Sequence, residues 1–274
     1  MKEISKPQKI IIHLVLFISG ISMLLPLVWM FLTSVKTFSE AVEVPPTIFP
    51  QNFMWENYTK VLDYLPFLNF FMNTLISIIF RVLFSTLFAA MAAFAVAKLE
   101  FKGKNLFFTL VLTQMMIPGQ IYLIPQYLLV QRLGLLDTIP ALIIPGLVSA
   151  FGTFFLRQFF QSLPNELMDA AKIDGATIWQ IFFQVYLPLV RSGLIALGIF
   201  TAVWSFKDLI WPLIANVSQS KLPLTAGLAA LDGQHTTEYP LLMAGSFIAI
   251  LPMIVLYVLF QKQFIQGIAT TGGK

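Results

Sequence analysis

Ser162-Leu-Pro-Asn-Glu-Leu-Met-Asp-Ala-Ala-Lys-Ile-Asp-Gly-Ala-Thr-Ile-Trp-Gln-Ile-Phe-Phe-Gln-Val-Tyr-Leu-Pro188 is the least membrane-like stretch of a strongly apolar chain, and its local grammar is that of a helix pair. Ser162 can cap a short helix whose first turns hold Pro164, Glu166 and Asp169, all favourable near the positive end of a helix dipole. Asp174-Gly175 ends that helix, because glycine tolerates the left-handed backbone that closes it. Thr177, with Gln180 three residues on, makes a capping box for a second helix, which Pro188 should kink or break. Leu167, Ala170, Ala171 and Asp174 fall at helical spacing on one side, a small-residue face open to close approach. Composition alone describes an interfacial amphipathic helix joining two spans.

Outward from the loop, the chain reads as membrane. Of 274 residues 58% are hydrophobic and 11% charged, and the mean hydropathy is +0.82. A spanning helix takes ~20 residues to cross a ~30 Å hydrocarbon core, which leaves room for about six or seven spans and no large soluble domain. Nothing ionisable except His13 lies between Lys9 and Lys36, and no charge interrupts Lys104 to Arg132 or Glu238 to Lys262. Three further apolar stretches hold Arg81 in one case and Lys207 with Asp208 in another. Six spans are therefore expected, at about 10–35, 67–97, 105–131, 138–160, 193–214 and 240–261, in one transmembrane domain over 1–274 with the helix-pair loop at 162–180. Lys2, Lys6 and Lys9 precede the first span like a signal peptide's basic region. The apolar run continues to Lys36 without a small-x-small cleavage site, so it is expected to be a retained anchor.

Six spans put both termini on one side, and the Lys and Arg count chooses it. Lys2, Lys6, Lys9, Lys98, Lys102, Lys104, Arg157, Lys172, Arg191, Lys262 and Lys274 fall on the terminal side. Lys36, Lys60, Arg132, Lys207 and Lys221 fall on the other. Both termini and the 162–180 loop are expected in the cytoplasm. The turn-rich segments 37–66 and 215–239 then lie outside.

With no cysteine, disulfides, thiolate metal sites and cysteine nucleophiles are excluded. His13 and His235 lack ligand partners in sequence, so no metal is expected. Neither a G-x-x-x-x-G-K-[S/T] loop nor a basic, aromatic-interleaved patch occurs, which argues against ATP hydrolysis by this chain and against nucleic-acid binding. No cofactor is expected on it.

Asp169-Ala170-Ala171-Lys172-Ile173-Asp174-Gly175-Ala176, then Phe182 and Leu187-Pro188-Leu189, resembles the EAA loop of binding-protein-dependent ABC transporter permeases. The resemblance extends along the chain: Pro26-Leu27-Val28-Trp29-Met30, Thr33-Ser34-Val35-Lys36, Glu56-Asn57-Tyr58, Met115-Met116-Ile117-Pro118, Leu156-Arg157-Gln158-Phe159-Phe160 and Trp211-Pro212-Leu213 look like the carbohydrate-uptake branch, in its smaller, maltose-type permease. It implies an all-α, six-helix integral membrane protein of the type I importer permease fold, in a bacterial or archaeal plasma (inner) membrane. It further implies a heterodimer with a second, related permease, two ABC ATPase subunits that bind ATP and Mg, and an extracytoplasmic sugar-binding protein. The loop would be the coupling helix, with Asp169, Ala170, Ala171, Asp174, Gly175 and Ala176 docking on an ATPase. The loop before the last span, with Gly227, Asp232 and Gly233, would touch the binding protein.

The chain departs from the family pattern in three places. Asp169 stands where Glu is usual, Ser192 replaces a second Pro, and Phe206-Lys207-Asp208 stands where Trp-Asn-Asp is frequent.

Arg81 inside a span costs roughly 2.5–3.5 kcal/mol on insertion scales, so pathway contact, a contact with the partner permease, snorkelling and a structural pairing are all open. Lys207 and Asp208 are adjacent and point to different azimuths, consistent with an outer interface or a pathway. Gln114 and Gln120 flank the Pro118-Gly119 break, which either lines a sugar path or is a packed kink. Three other readings compete: an ABC permease for another small solute, a self-sufficient secondary transporter and an intramembrane enzyme. A secondary transporter should carry intramembrane carboxylates, and Asp208 stands alone. An intramembrane enzyme needs a nucleophile and base at membrane depth.

Overall fold

The apolar runs are cut where Pro and Gly fall together, at Pro118-Gly119 and Pro145-Gly146, whereas isolated Pro26 and Pro252 are carried inside continuous helices. The computed structural model describes residues 6–229 and 237–272, and among these no strand occurs. Helix α1, Lys6–Ser34, runs through Pro26 without interruption. After a single turn, α2 (Phe38–Ala41), comes α3, Glu56–Tyr64. Helix α4, Phe67–Lys98, has 32 residues and neither Pro nor Gly, about 48 Å at 1.5 Å per residue.

The following apolar runs are broken. Helix α5, Lys104–Met116, stops because Ile117 precedes Pro118 and is extended, φ −88° and ψ 124°. A short turn, Gly119–Tyr122, leads to α6, Leu123–Arg132, and the axis swings by 101°. Helix α7, Ile139–Ile143, begins at the Thr138 cap. It bends by 45° through Ile144–Gly146 into α8, Ala150–Gln161. The loop helices are α9, Glu166–Ile173, and α10, Ile178–Leu189; α11, Arg191–Lys207, leaves α10 at 80°. The apolar stretch 193–214, expected as one span, is cut at Asp208, and α12, Ile210–Ala215, follows. Helices α13, Leu224–Ala229, and α14, Tyr239–Gly272, complete the order.

Two of these helices are long and apolar enough to cross a membrane unbroken, and the number reaches five if each bent pair is one span; the apolar Tyr239–Val255 part of α14 is shorter. The expected six came from charge-free windows, which detect apolar length but not the breaks within it.

Two compact units make up the chain. In the first, Met1–Pro66 with Leu228–Pro252, the end of α1 is tied down by polar groups. Asn57 Nδ2 donates to the Ser34 and Lys36 carbonyls at 2.9 and 3.0 Å, and Ser34 Oγ and Tyr58 OH share a 2.8 Å hydrogen bond. Lys36 is 2% exposed, its Nζ donating to Thr47 O and lying 5.0 Å over the Trp29 ring. Thr33–Lys36 and Glu56–Tyr58, separate in sequence, thus meet in one knot. The Phe31 ring lies 6.1 Å from that of Trp55 and 5.3 Å from that of Phe247 beside it.

In the second unit, Phe67–Gly227 with Met253–Lys274, α4 packs on α8 and α11 through small residues. Ala89, Ala90 and Ala93 are buried. A Cβ on Gly152 of α8 would come within 2.9 Å of the Ala89 Cβ, so the helices approach more closely than larger side chains permit. Phe94, Phe160, Phe182 and Tyr186 close this core at the loop end.

Candidate functional site: the α9–α10 loop and the Arg81 cavity

The loop folds as the helix pair that its residues dictate, with one shift at its start. Ser162 does not cap α9; it ends α8, and its hydroxyl donates to Phe159 O at 2.8 Å. Pro164 disfavours helical backbone at the residue before it, so the next helix begins only beyond it. Asn165 occupies the cap position without a capping side-chain bond, since its Oδ1 accepts from Lys98 Nζ at 2.7 Å.

The far end of α9 is a Schellman closure. Gly175, at φ +78°, donates to Lys172 O at 3.0 Å, and Ala176 donates to Ala171 O at 2.9 Å. The Thr177 capping box is present: Thr177 N–H donates to Gln180 Oε1 at 2.8 Å and Thr177 Oγ1 accepts from Gln180 N–H at 3.4 Å. Residues Ile181–Tyr186 then wind as a π-helix ahead of Pro188, and the chain turns at Val190, before Ser192 is reached.

Packing divides the loop in two. Met168, Ile181, Phe182 and Tyr186 are buried in the α4–α8–α11 core, with Leu167, Ala171 and Ala176 packed against it. Asp169, Ala170, Asp174 and Gly175 are exposed. The expected one-sided face of Leu167, Ala170, Ala171 and Asp174 is therefore split, because the core takes the larger Leu167 and the inner Ala171. Beside the exposed residues stand Ile173, 86% exposed, and Trp179, 59% exposed. These two carry no distinct mark in the sequence, because the loop holds other apolar residues, Leu167, Met168 and Phe182 among them, that the core takes in.

The residues before α9 are held from two directions. Lys98, the last residue of α4, donates to Leu163 O at 2.6 Å as well as to Asn165, and its ammonium lies 5.6 Å over the Tyr186 ring. Tyr186, fully buried, donates from its hydroxyl to Pro164 O at 3.1 Å. Three consecutive residues, 163 to 165, are gripped by α4 and α10.

Midway along α4, Arg81 finds a partner in its own chain. Its Nη1 lies 3.1 Å from Asp208 Oδ2 and 3.4 Å from Ser205 Oγ, with the two charged side chains 14% and 25% exposed. The guanidinium rests on Gly146, where any Cβ would overlap Arg81 Nε. The pair borders a cavity of about 190 Å³ that Ser85, Ser149, Thr201 and Trp204 also line. Two of the unit's helix interruptions line this cavity, the 147–149 link through Val148 and Ser149, and the break at Asp208. Lys207 is exposed and outside the cavity lining. Gln114 lines a separate cavity of about 260 Å³ with Phe88, Ser149 and Thr153, and Gln120 is exposed on the turn after Pro118.

The segment after α12 folds onto the start of α4. Asn73 Nδ2 donates to Ser220 O and Leu222 O at 2.8 and 3.0 Å, and Thr74 Oγ1 accepts from Leu224 N–H at 2.8 Å. Gly227 is buried with its open side against the Phe70 ring, so its role in this fold is packing. Asp232 and Gly233 lie outside the described residues. Asp137, at φ 58°, accepts from the Ser218 hydroxyl at 2.5 Å and from the Ser218 and Val217 N–H groups. These donors, the Ser218 hydroxyl first, hold its carboxyl below the ordinary range.

Among the described residues no group of three or more His, Asp or Glu could hold a metal ion.

An exposed, glycine-closed helix pair seated on a bundle of broken apolar helices is the arrangement of a transporter's membrane subunit. The chain belongs to the binding-protein-dependent transport system inner membrane component family, whose model matches residues 85–268. It is similar to the arabinooligosaccharides transport system permease protein of Bacillus subtilis (strain 168), with 34% identity over 268 residues, 96% of this chain and 95% of that one. The protein of the same name from Halalkalibacterium halodurans is 40% identical over 185 residues, 68% of this chain and 66% of that one. The diacetylchitobiose uptake system permease protein of Streptomyces coelicolor is 31% identical over 255 residues, covering 92% and 84%. Among solved structures, the chain shares its fold with one from a bacterial ABC transporter involved in the import of the acidic polysaccharide alginate. The TM-score there is 0.80 at 24% identity, covering 96% of this chain and 100% of that one. The ABC permease resemblance drawn from the 162–188 loop is thereby borne out, and the protein is an inner-membrane, multi-pass permease.

Proposed function

We propose that this chain is the smaller permease of an ATP-driven importer for a carbohydrate, and that α9 with the start of α10 is its coupling element. The observation that carries the reading is the division of the loop: its inner residues are part of the α4–α8–α11 core, and Asp169, Ala170, Asp174 and Gly175 face outward. A body docked on the outer side moves the core through the inner side. The carbohydrate assignment is supported by relatives named for arabinooligosaccharides and diacetylchitobiose.

In this reading the loop and both termini are cytoplasmic. The chain pairs with a second, homologous permease, and two ABC ATPase subunits bind and hydrolyse ATP with Mg. ATP binding closes the ATPase pair, α9 travels with it, and the spans reopen from inward-facing to outward-facing. Of the six residues expected to dock, Asp169, Ala170, Asp174 and Gly175 form the docking side, and Ala171 and Ala176 pack behind them against the core. A sugar-binding protein meets the outer 215–239 segment around Asp232 and Gly233, with Gly227 anchoring the segment's base on Phe70.

The test is to purify the C-terminally tagged chain in mild detergent, measure the mass of the complex, and assay sugar uptake after reconstitution with the binding protein. One permease pair with two P-loop ATPases, and ATP-dependent uptake of a sugar, is the expected result. A homo-oligomer active in liposomes without ATP would overturn the reading.

A further inference from the structure

We infer that the Arg81–Asp208 cavity is a subsite for one ring of a neutral sugar, so that this permease itself contacts the transported molecule. The inference rests on the carbohydrate reading above and adds where and how this chain would hold the substrate.

Three features converge there. The first is an ion pair with unused capacity: Arg81 makes its hydrogen bonds through Nη1 alone, and Asp208 accepts through Oδ2 alone, among the described residues. A guanidinium beside a carboxylate offers donors and an acceptor side by side, which suits neighbouring hydroxyls that each both donate and accept. The second is a set of hydroxyls around the same space, Ser85 on α4, Ser205 on α11 and Ser149, which caps α8 by accepting from Gly152 N–H at 2.9 Å. The third is an immobilised aromatic surface. Trp204 lines the cavity and is 45% exposed, yet it is held by Phe151 at 5.1 Å in T-shaped contact and by Phe200 at 5.9 Å in stacking. A fixed indole face with polar groups opposite matches a pyranose or furanose ring, apolar on its C–H faces and polar at its rim.

Charge and size narrow the ligand. Asp208 already neutralises Arg81, so an anionic substrate gains little from the site. At about 190 Å³ the cavity falls below the ~300–1,000 Å³ of sites for drug-sized ligands. It accommodates one ring, with the rest of a longer saccharide lying outside it. Gly146 is part of the design, because a side chain there would push the guanidinium out of place.

Saturation-transfer NMR on the intact transporter in nanodiscs, without binding protein, tests this. The probes are maltose, arabinobiose, diacetylchitobiose and whichever sugar the uptake assay identifies, with glucuronate and sn-glycerol 3-phosphate as anions. The expected result is transfer to a neutral sugar, weakened about tenfold in affinity by Asp208→Asn and by Trp204→Leu, and unchanged by Lys60→Gln. Trp204→Leu leaves the ion pair intact, so the test stands even if Asp208→Asn fails to fold. Transfer to the anions alone, or neutral-sugar transfer unaltered in both variants, would overturn the subsite. So would the lack of any transfer in a transporter that still imports a sugar, an outcome that leaves the carbohydrate reading intact. Import of no carbohydrate at all would overturn the reading and the subsite together.

Discussion

Lys98 and Asn165, 67 residues apart, are joined by a 2.7 Å hydrogen bond from Nζ to Oδ1. The same ammonium donates to Leu163 O, so the last residue of the 32-residue helix α4 holds the segment that launches α9. In the proposed coupling role, movement of α9 would pass to α4 through this charge-assisted contact as well as through apolar packing.

Lys98→Met keeps the bulk of the side chain and removes both donations. A loss of about 1–3 kcal/mol of stability and a rise in ATP hydrolysed per sugar imported are expected. A thermal melt together with paired ATPase and uptake assays reads both. Unchanged stoichiometry would deny Lys98 a part in coupling.

Gly175 sits at φ +78°, and a Cβ there would meet nothing within 4 Å, so Gly175→Ala is opposed by backbone strain alone, at about 1 kcal/mol. Gly175→Pro cannot adopt that φ and opens the Schellman closure. Ala170→Trp adds bulk to the exposed docking side. The last two variants should reach the membrane at normal levels, retain ATPase activity and lose uptake; normal uptake would refute the docking assignment.

Arg81 and Asp208 neutralise each other at the border of a hydroxyl-lined cavity between apolar helices. Replacing either by Leu strands the other charge, and the loss should lie below the ~3–5 kcal/mol of a fully buried pair because both side chains retain some exposure. The double replacement should recover most of that loss. Melting temperatures of the four proteins in one detergent measure the coupling, and strictly additive losses would show that the pair is not an energetic unit.

Gly227→Val would drive a side chain into the Phe70 ring, which is fully buried. Overpacking of this kind costs typically about 1–3 kcal/mol. Protease sensitivity of the 219–227 segment should rise, while the ATPase activity of the detergent-purified complex should change little.

The acid limb of stability should carry a mark of Glu40. The Thr37 backbone N–H, at 3.0 Å, and then the Gln51 N–H, at 2.9 Å, hold its carboxyl below the ordinary value of 4.5, against an opposing effect of burial. A carboxylate whose folded pKa is depressed stabilises the protein fully above its unfolded pKa, and the contribution fades as pH falls through the folded one. Glu40→Gln should therefore be less stable than the parent at pH 7 and converge with it only as the pH falls through the depressed pKa of Glu40, below its ordinary 4.5. Asp137→Asn should behave alike. Melts between pH 3 and 7 compare the slopes, and parallel curves would exclude the linkage.

Membrane class, helical content and the caps that separate α9 from α10 are legible in the residues alone. Hydropathy is a property of a short window, and Gly175, Thr177 and Gln180 act within a few residues of one another, so their geometry needs no distant partner. Charge-free windows did not reveal that the stretch 193–214 breaks at Asp208 or that the run from Lys104 to Arg132 turns by 101°, because the groups that satisfy a broken helix come from elsewhere in the fold. Ser162 was misplaced for a related reason: two helices compete for one serine, and Pro164 decided between them. Long-range packing selects Asp208, 127 residues away, as the partner of Arg81, and places Tyr186 beneath Pro164 and Phe70 beneath Gly227. Such pairings follow from which faces of α4, α8 and α11 pack together. Helices α4 and α11 are apolar nearly all round, so their sequence pattern carries little orientation, and close packing of small residues such as Ala89 against Gly152 of α8 fixes it instead.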